Sequence, residues 1–327
     1  MITFKNLFER FGQRLEFNFF SRFKKFNKTT SIHILSADNG LSILLKILYF
    51  LLNKLNNLLP NYKIDETLEI RNFKENNLKK NWSKLDVTAS PGRKSCQLFW
   101  INLPWNLIKR ELNEINILDM GCGLGNYGPK FVNFSKNNIN SYIGLDIKQD
   151  DYWINLKKKY PFFQFCKFNG KDFTDLIPDN TNFFITQSAI EHFEEDLSFF
   201  KQIREFICSS GKNVIQIHVF PSSTSSYLMP FHGIRQYTPR TISKIIRIFK
   251  DFSYAILFNL GGKYSNYLHY KYITKPRRTK IGDLRTKKIK EYDKLSYNVI
   301  KKDLNQPISP SNYALFIHSN WKEKISF

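Results

Sequence analysis

The residues best suited to chemistry lie in one run of the 327-residue chain: Ile117-Leu118-Asp119-Met120-Gly121-Cys122-Gly123-Leu124-Gly125-Asn126-Tyr127-Gly128. An apolar strand ends in an acid, and a loop with four glycines then opens a helix. Glycines let backbone approach a bound ligand closely and accept positive φ. The helix N-terminus adds free N–H groups and the positive end of the dipole. Gly123, Gly125 and Gly128 also fit the dinucleotide fingerprint GxGxxG, and Asp146 follows Gly128 by 18 residues, near the distance expected of a ribose-binding acid. Asp119 argues against a dinucleotide. A carboxylate at the tip of the first strand would repel a pyrophosphate, whereas it would attract an ammonium group.

The pattern Asp-x-Gly-x-Gly-x-Gly resembles the cofactor loop of the class I (Rossmann-like) S-adenosylmethionine-dependent methyltransferases, and the resemblance covers about residues 113–260. It implies that Asp119, Gly121, Gly123 and Gly125 form the S-adenosylmethionine loop. Asp146, at the end of Tyr142-Ile143-Gly144-Leu145-Asp146, would take both ribose hydroxyls. Asp172, in Gly170-Lys171-Asp172-Phe173, would contact adenine. Gln187-Ser188-Ala189-Ile190-Glu191-His192-Phe193 is similar to the Leu-Glu-His signature after the fourth strand of many small-molecule members, which sets Gln187 at the cofactor site. The chain departs from the family where Phe183-Phe184 replaces the Asp that often begins that strand. No Asn/Asp-Pro-Pro-Tyr motif follows, which disfavours amino-group methylation of nucleic acid and protein. Phe99-Trp100 and Pro104-Trp105 are similar to a segment of bacterial methyltransferases associated with surface-polysaccharide synthesis.

Methyl transfer to a hydroxyl needs orientation and a general base. His192 follows the fourth strand and titrates, if unperturbed, at about pH 6.5; the alternative is a histidine that braces its loop. Glu191 orients a neighbour or points to solvent. His218, on the fifth strand, lines the pocket or sits satisfied in the core. In Pro230-Phe231-His232-Gly233-Ile234-Arg235-Gln236-Tyr237, His232 is a second base, Arg235 a ligand for an anionic acceptor and Tyr237 a stacking platform. The alternative is a plain turn with Tyr237 buried.

These groups require a frame. Apolar runs at 115–119, 142–146, 163–168, 182–187, 213–219, 252–258 and 313–318 alternate with helical stretches. That alternation predicts a Rossmann-like, seven-stranded, mostly parallel α/β sheet with helices on both faces. The methyltransferase domain would span residues 113–327, with a basic insertion at about 259–312. Residues 1–112 would form a mainly helical extension, either membrane-interfacial or a lid over the cofactor site: a helix over 1–30, and another over 38–59 capped by Asp38 or Asn39. In the second, Leu41, Leu44, Leu45, Leu48, Leu52 and Leu55 recur at helical spacing. That helix either packs on the catalytic domain or lies in a membrane interface.

Charge is uneven. Residues 1–112 carry 19 Lys and Arg against 9 Asp and Glu, residues 113–239 carry 12 against 13, and residues 240–327 carry 19 against 6, for a net +22. Basic flanks point to an anionic partner, namely membrane headgroups, nucleic acid or a phosphorylated substrate, or are a solvated surface. The four cysteines form no CxxC pair and no His cluster sits at zinc spacing, so neither a disulfide framework nor a metal is expected. The N-terminus lacks the apolar run of a signal peptide, and a cytoplasmic location is expected. The reading is O-methylation of a small molecule or glycan, including a lipid-linked sugar at the inner membrane face. RNA methylation through the basic flanks and a non-catalytic cofactor-binding scaffold are the alternatives.

Overall fold

The computed structural model describes residues 28–58 and 63–327. Short apolar runs bounded by turns form β1 (Leu68–Asn72), β2 (Asn116–Met120), β3 (Ser141–Asp146), β4 (Phe163–Lys167), β5 (Phe183–Gln187), β6 (Val214–Pro221), β7 (Ser253–Leu260) and β8 (Asn312–Ser319). They lie in one sheet in the order β1-β7-β8-β6-β5-β2-β3-β4. All pairs are parallel except those of β8, which runs antiparallel between β6 and β7. A dinucleotide fold reads 3-2-1-4-5-6 along its sheet. From β4 to β7 this sheet follows that order, interrupted by the reversed β8.

Eight strands replace the seven expected. The additional strand, β1, sets Leu68 opposite Ala255 at the sheet edge. Its sequence Leu-Glu-Ile-Arg-Asn hides it, because only Leu68 is buried and Glu69 pairs with Arg71 on the surface. Charged side chains of this kind are how exposed edges avoid further pairing. The first 112 residues therefore contribute a strand as well as helices.

The helices are α1 (Ile43–Leu58), α2 (Leu78–Trp82), α3 (Pro91–Ile101), α4 (Trp105–Leu112), α5 (Tyr127–Phe134), α6 (Tyr152–Lys159), α7 (Asp196–Ser210), α8 (Pro239–Ile246), α9 (Lys263–His269), α10 (Lys275–Arg278), α11 (Leu284–Lys287) and α12 (Ile289–Asn305). One face of the sheet buries Phe99, Trp100, Phe131 and Phe163, and the other buries Phe184, Phe200, Ile203 and Ile245. β6 is buried along its whole length, as a strand covered on both faces must be. The aromatic residues of the 98–105 segment are core, and so is His218. Burial lowers the His218 pKa to about 3, and Thr186 Oγ1 lies 3.1 Å from its Nδ1.

The 259–312 segment is helical. α12 packs on α9 and α3, where the buried Lys94 ammonium lies 2.9 Å from Asp293 and over the rings of Trp82 and Tyr292. Tyr292 donates to the Ala89 carbonyl and Arg285 to that of Thr88. The insertion is thereby fastened over the 86–95 segment.

α1 packs through a mixed face, in which Leu45, Leu48 and Leu52 are half-buried beside fully buried polar groups. Tyr49, Asn53 and Asn56 face the protein, while Ile43, Leu44, Ile47, Leu51, Leu55 and Leu58 are 52–79% exposed. The inward polar groups are employed: the Tyr49 hydroxyl donates to the His232 carbonyl, and Asn56 accepts from the Ile32 amide. Ser42, rather than Asp38 or Asn39, caps this helix by accepting from the Leu45 amide. The helix expected over 1–30 falls almost entirely outside the described residues. Among those described, no helix is long and apolar enough to cross a membrane.

Candidate functional site

The glycine loop joins β2 to α5 at the carboxyl ends of the strands. Gly121 has φ +76°, and a Cβ there would stand 2.5 Å from the Ala189 side chain, so only glycine lets the loop lie against the turn after β5. Beyond Gly123 there is open space. Its amide donates to Asp146 Oδ2 at 2.8 Å, and its carbonyl accepts from Trp153 at 2.9 Å. Asp146 Oδ1 accepts from the Lys148 amide, and the next residue, Ile147, is exposed. The loop is thus pinned at one residue between the β3 carboxylate and an indole that stacks on Phe165.

Asp119 sits beneath this loop. Burial pushes its carboxyl up to about 7, Tyr142 opposes the shift through a 2.6 Å hydrogen bond to Oδ2, and the charge of Asp146 adds to it. Oδ1 is buried with no hydrogen-bond partner. Asp119 is therefore a covered, readily protonated group rather than the open carboxylate expected from its place in the motif. Asp172 is fully exposed. The hydroxyl and amide of Thr174 both donate to its carboxylate and hold it below the usual range.

β5 ends between the loop and a separate cavity. Gln187 accepts from the Trp100 indole at 2.7 Å and lines the cavity wall, beside Ser188 at φ +54°. A non-glycine residue in that left-handed region is uncommon. The cavity has a volume of about 840 Å³, the size of small-molecule sites. α3, the turn after β6 and the α9–α11 insertion enclose it. Its wall includes Cys96, Glu191, Ser225 and His232, with Arg93, Arg277 and Arg285 as cations.

The fold brings the two proposed bases together. The rings of His192 and His232 meet edge to face at 4.7 Å, and both turn Nε2 toward Glu191 Oε1, at 3.9 and 3.7 Å. Glu191 does not point to solvent: it is wholly buried, and neither oxygen has a hydrogen-bond partner. The carboxylate beside His232 holds its imidazole above the usual range. Asp38 lies behind His192 with Oδ2 2.6 Å from Nδ1, while its Oδ1 accepts from the Gly233 amide. Burial pushes Asp38 up, but these bonds outweigh it and hold the carboxyl below its usual value. Motif reading misses Asp38, because nothing local distinguishes it from a helix cap.

Two expected substrate residues are structural. Arg235 is fully buried, paired with Asp196 at 3.4 Å and donating to the carbonyls of Phe193 and Glu194. A guanidinium so occupied cannot meet an acceptor. Tyr237 is also fully buried, and its hydroxyl donates to Asp196. Cations do reach the cavity, from α3 and the insertion, through Arg93, Arg277 and Arg285.

No family model and no curated protein matches the chain. Solved structures do match. A SAM-dependent methyltransferase from Archaeoglobus fulgidus is 19% identical, with a TM-score of 0.39 over 68% of this chain and 94% of that one. The plantazolicin methyltransferase BamL, in complex with SAH and a substrate analogue, is 12% identical, with a TM-score of 0.40 over 74% and 94%. Phosphoethanolamine N-methyltransferase 2 of Haemonchus contortus, bound to S-adenosyl-L-methionine, is 15% identical, with a TM-score of 0.40 over 70% and 57%.

Proposed function

We propose that this protein is an S-adenosylmethionine-dependent methyltransferase that methylates a hydroxyl of a small-molecule or glycan acceptor. The observation that carries the reading is the 2.8 Å contact between Gly123 and Asp146 at the edge of open space. A carboxylate placed there can take ribose hydroxyls, and exposed Ile147 beside it can take a planar base. The fit extends to the buried, unpaired Oδ1 of Asp119, an acceptor left over beneath the loop, and to Asp172, exposed past β4. When bound, the cofactor supplies an electrophilic methyl group on a sulfonium. The protein's part is to bind the acceptor in the cavity beyond Gln187, orient one hydroxyl and promote loss of its proton beside Glu191, His192 and His232. Arg93, at the cavity wall, suits an anionic acceptor such as a sugar phosphate. Titration calorimetry with S-adenosylhomocysteine and, in parallel, NAD tests the reading. Micromolar binding of the first alone is expected, and binding of NAD, or of neither, would sink it.

The RNA alternative is weakened by the insertion, where Arg277 and Arg285 are both engaged with Asp283. The outward face of α1 favours a membrane surface instead. Its exposed leucines and isoleucines form a continuous stripe, with Lys46 and Lys54 exposed at its sides. Phe231, from the loop that carries His232, packs on Tyr49 at the inner side of the same helix. An interfacial helix with flanking lysines binds anionic bilayers through such a stripe, and here it would bring a lipid-linked acceptor to the cavity. Co-sedimentation with phosphatidylglycerol vesicles is expected for the wild type. The double substitution Leu51→Glu and Leu55→Glu should abolish it and move the melting temperature by no more than about 2 °C, because exposed positions contribute little to stability. A large fall in melting temperature would mean instead that the stripe is covered by another part of the chain.

A further inference from the structure

Glu191 presents a physical problem. A carboxylate buried without a hydrogen bond is costly, yet both of its oxygens are in that state at the wall of the cavity. The groups around it are of one kind. His192 Nε2 and His232 Nε2 lie 3.9 and 3.7 Å from Oε1, and the three donor atoms fall within 4.8 Å of one another. Metal–ligand bonds of about 2.0–2.2 Å place neighbouring donors about 3.0–3.5 Å apart, so small rotations of the two imidazoles toward Glu191 would close these atoms around one ion.

The surroundings match a metal site independently. A ligating histidine usually donates its other ring N–H to a carboxylate, which fixes the tautomer and turns the free lone pair toward the metal. Asp38 stands in that position behind His192, 2.6 Å from Nδ1. It also accepts from the Gly233 amide and so ties the loop that carries His232 to the same carboxylate. That loop is held close to Glu191: the Ile234 amide donates to the Glu191 carbonyl, and a Cβ on Gly233 would stand 2.8 Å from the same oxygen. The Tyr49 hydroxyl fastens the His232 carbonyl from α1. Both histidines are thus held from outside the cluster, leaving their Nε2 atoms to converge on Glu191.

We propose that Glu191, His192 and His232 bind one divalent transition-metal ion, of the zinc, manganese or iron(II) class, with its remaining coordination positions open to the cavity. Two imidazoles and one carboxylate are a ligand set these ions accept, and three protein ligands leave room for an oxygen ligand. The binding stands on its own. Its purpose rests on the methyltransferase reading: an acceptor hydroxyl held at an open position would be more acidic than in water, and its proton could leave to solvent at neutral pH. The histidines would then be ligands, with no need to act as bases.

The test uses the full chain, stripped with a chelator and titrated with cobalt(II) alone, followed by visible absorption, and with zinc(II) by calorimetry. One ion per chain is expected, with the absorption bands of a nitrogen- and oxygen-ligated cobalt centre. Glu191→Gln and His232→Ala should each weaken binding at least about 100-fold, and Asp38→Asn about 10-fold, the loss typical of an outer-shell carboxylate. If Glu191→Gln does not fold, the part-exposed His192→Ala serves in its place. No cobalt spectrum and no zinc heat, or binding that the variants leave unchanged, would overturn the proposal. S-adenosylhomocysteine titrated into the same sample separates the two ideas: metal binding without it removes the methyltransferase reading alone, and its binding without metal removes only the ion.

Discussion

Asp146→Ala is expected to lose about 10²–10³-fold in affinity for S-adenosylhomocysteine and to keep its fold. Hydrogen bonds to a charged group contribute about 1.5–3 kcal/mol each, and two ribose hydroxyls would share this carboxylate. The loss compounds because Gly123 is held by the same side chain, at 2.8 Å, and the open space beyond it is bounded by that contact. Stability should fall by only about 1–2 kcal/mol, since Asp146 is part-exposed and water can replace it at the amides of Gly123 and Lys148. Calorimetry on a variant with an unchanged circular dichroism spectrum decides the matter. Wild-type affinity in that variant would remove Asp146 from the site.

Asp119→Asn should do the reverse for stability and make the protein more robust at neutral pH. Burial raises the Asp119 carboxyl to about 7 in the folded chain, whereas an unfolded aspartate titrates at about 3.9. Between those values the folded state holds a proton that the unfolded state has released, so wild-type stability falls as pH rises across the window. Below about pH 4 both states are protonated and the cost vanishes. Asparagine does not titrate, and its Oδ1 can still accept from the Tyr142 hydroxyl. The stability gap between variant and wild type should therefore open from near zero at about pH 4 to at most about 4 kcal/mol above pH 7. Denaturant melts at pH 5, 6, 7 and 8 measure it, and a gap independent of pH would show that the buried carboxylate is ionised throughout. Should the variant gain stability and lose S-adenosylhomocysteine, the unpaired Oδ1 would be the group reserved for the ligand.

The frame was legible where local chemistry agrees with the fold. The strands from β2 to β8 fall within about two residues of the apolar runs that predict them, because a buried parallel strand reads as continuous Ile, Val, Leu and Phe. β1 was not legible, since Glu69 and Arg71 give an edge strand the look of a loop. The leucine stripe of α1 reads as a packing surface, yet only part of it is covered and Tyr49, Asn53 and Asn56 face inward, because the backbone groups of Ile32 and His232 need Asn56 and Tyr49 as partners. The loop from 230 to 237 contributed His232 to the cavity but not Arg235 or Tyr237. Whether a side chain in such a loop faces the cavity or the protein beneath it depends on Asp196, 39 residues upstream of Arg235, and no local pattern carries that. Glu191 and His192 were visible as a motif. Their relation to His232 and Asp38 was not, because it exists only in three dimensions.

That relation also sets a timetable. Asp38 binds groups 154 and 195 residues further along the chain, at His192 and Gly233. Ribosomes add about 5–20 residues per second, so Asp38 emerges on the order of 10–40 s before Gly233 exists to receive it. β1 waits as long for β7, its partner in the sheet. The segment around Asp38 thus cannot be seated until the chain has grown past Gly233, and the histidine–carboxylate cluster forms after β1 to β6 exist rather than with the first strands.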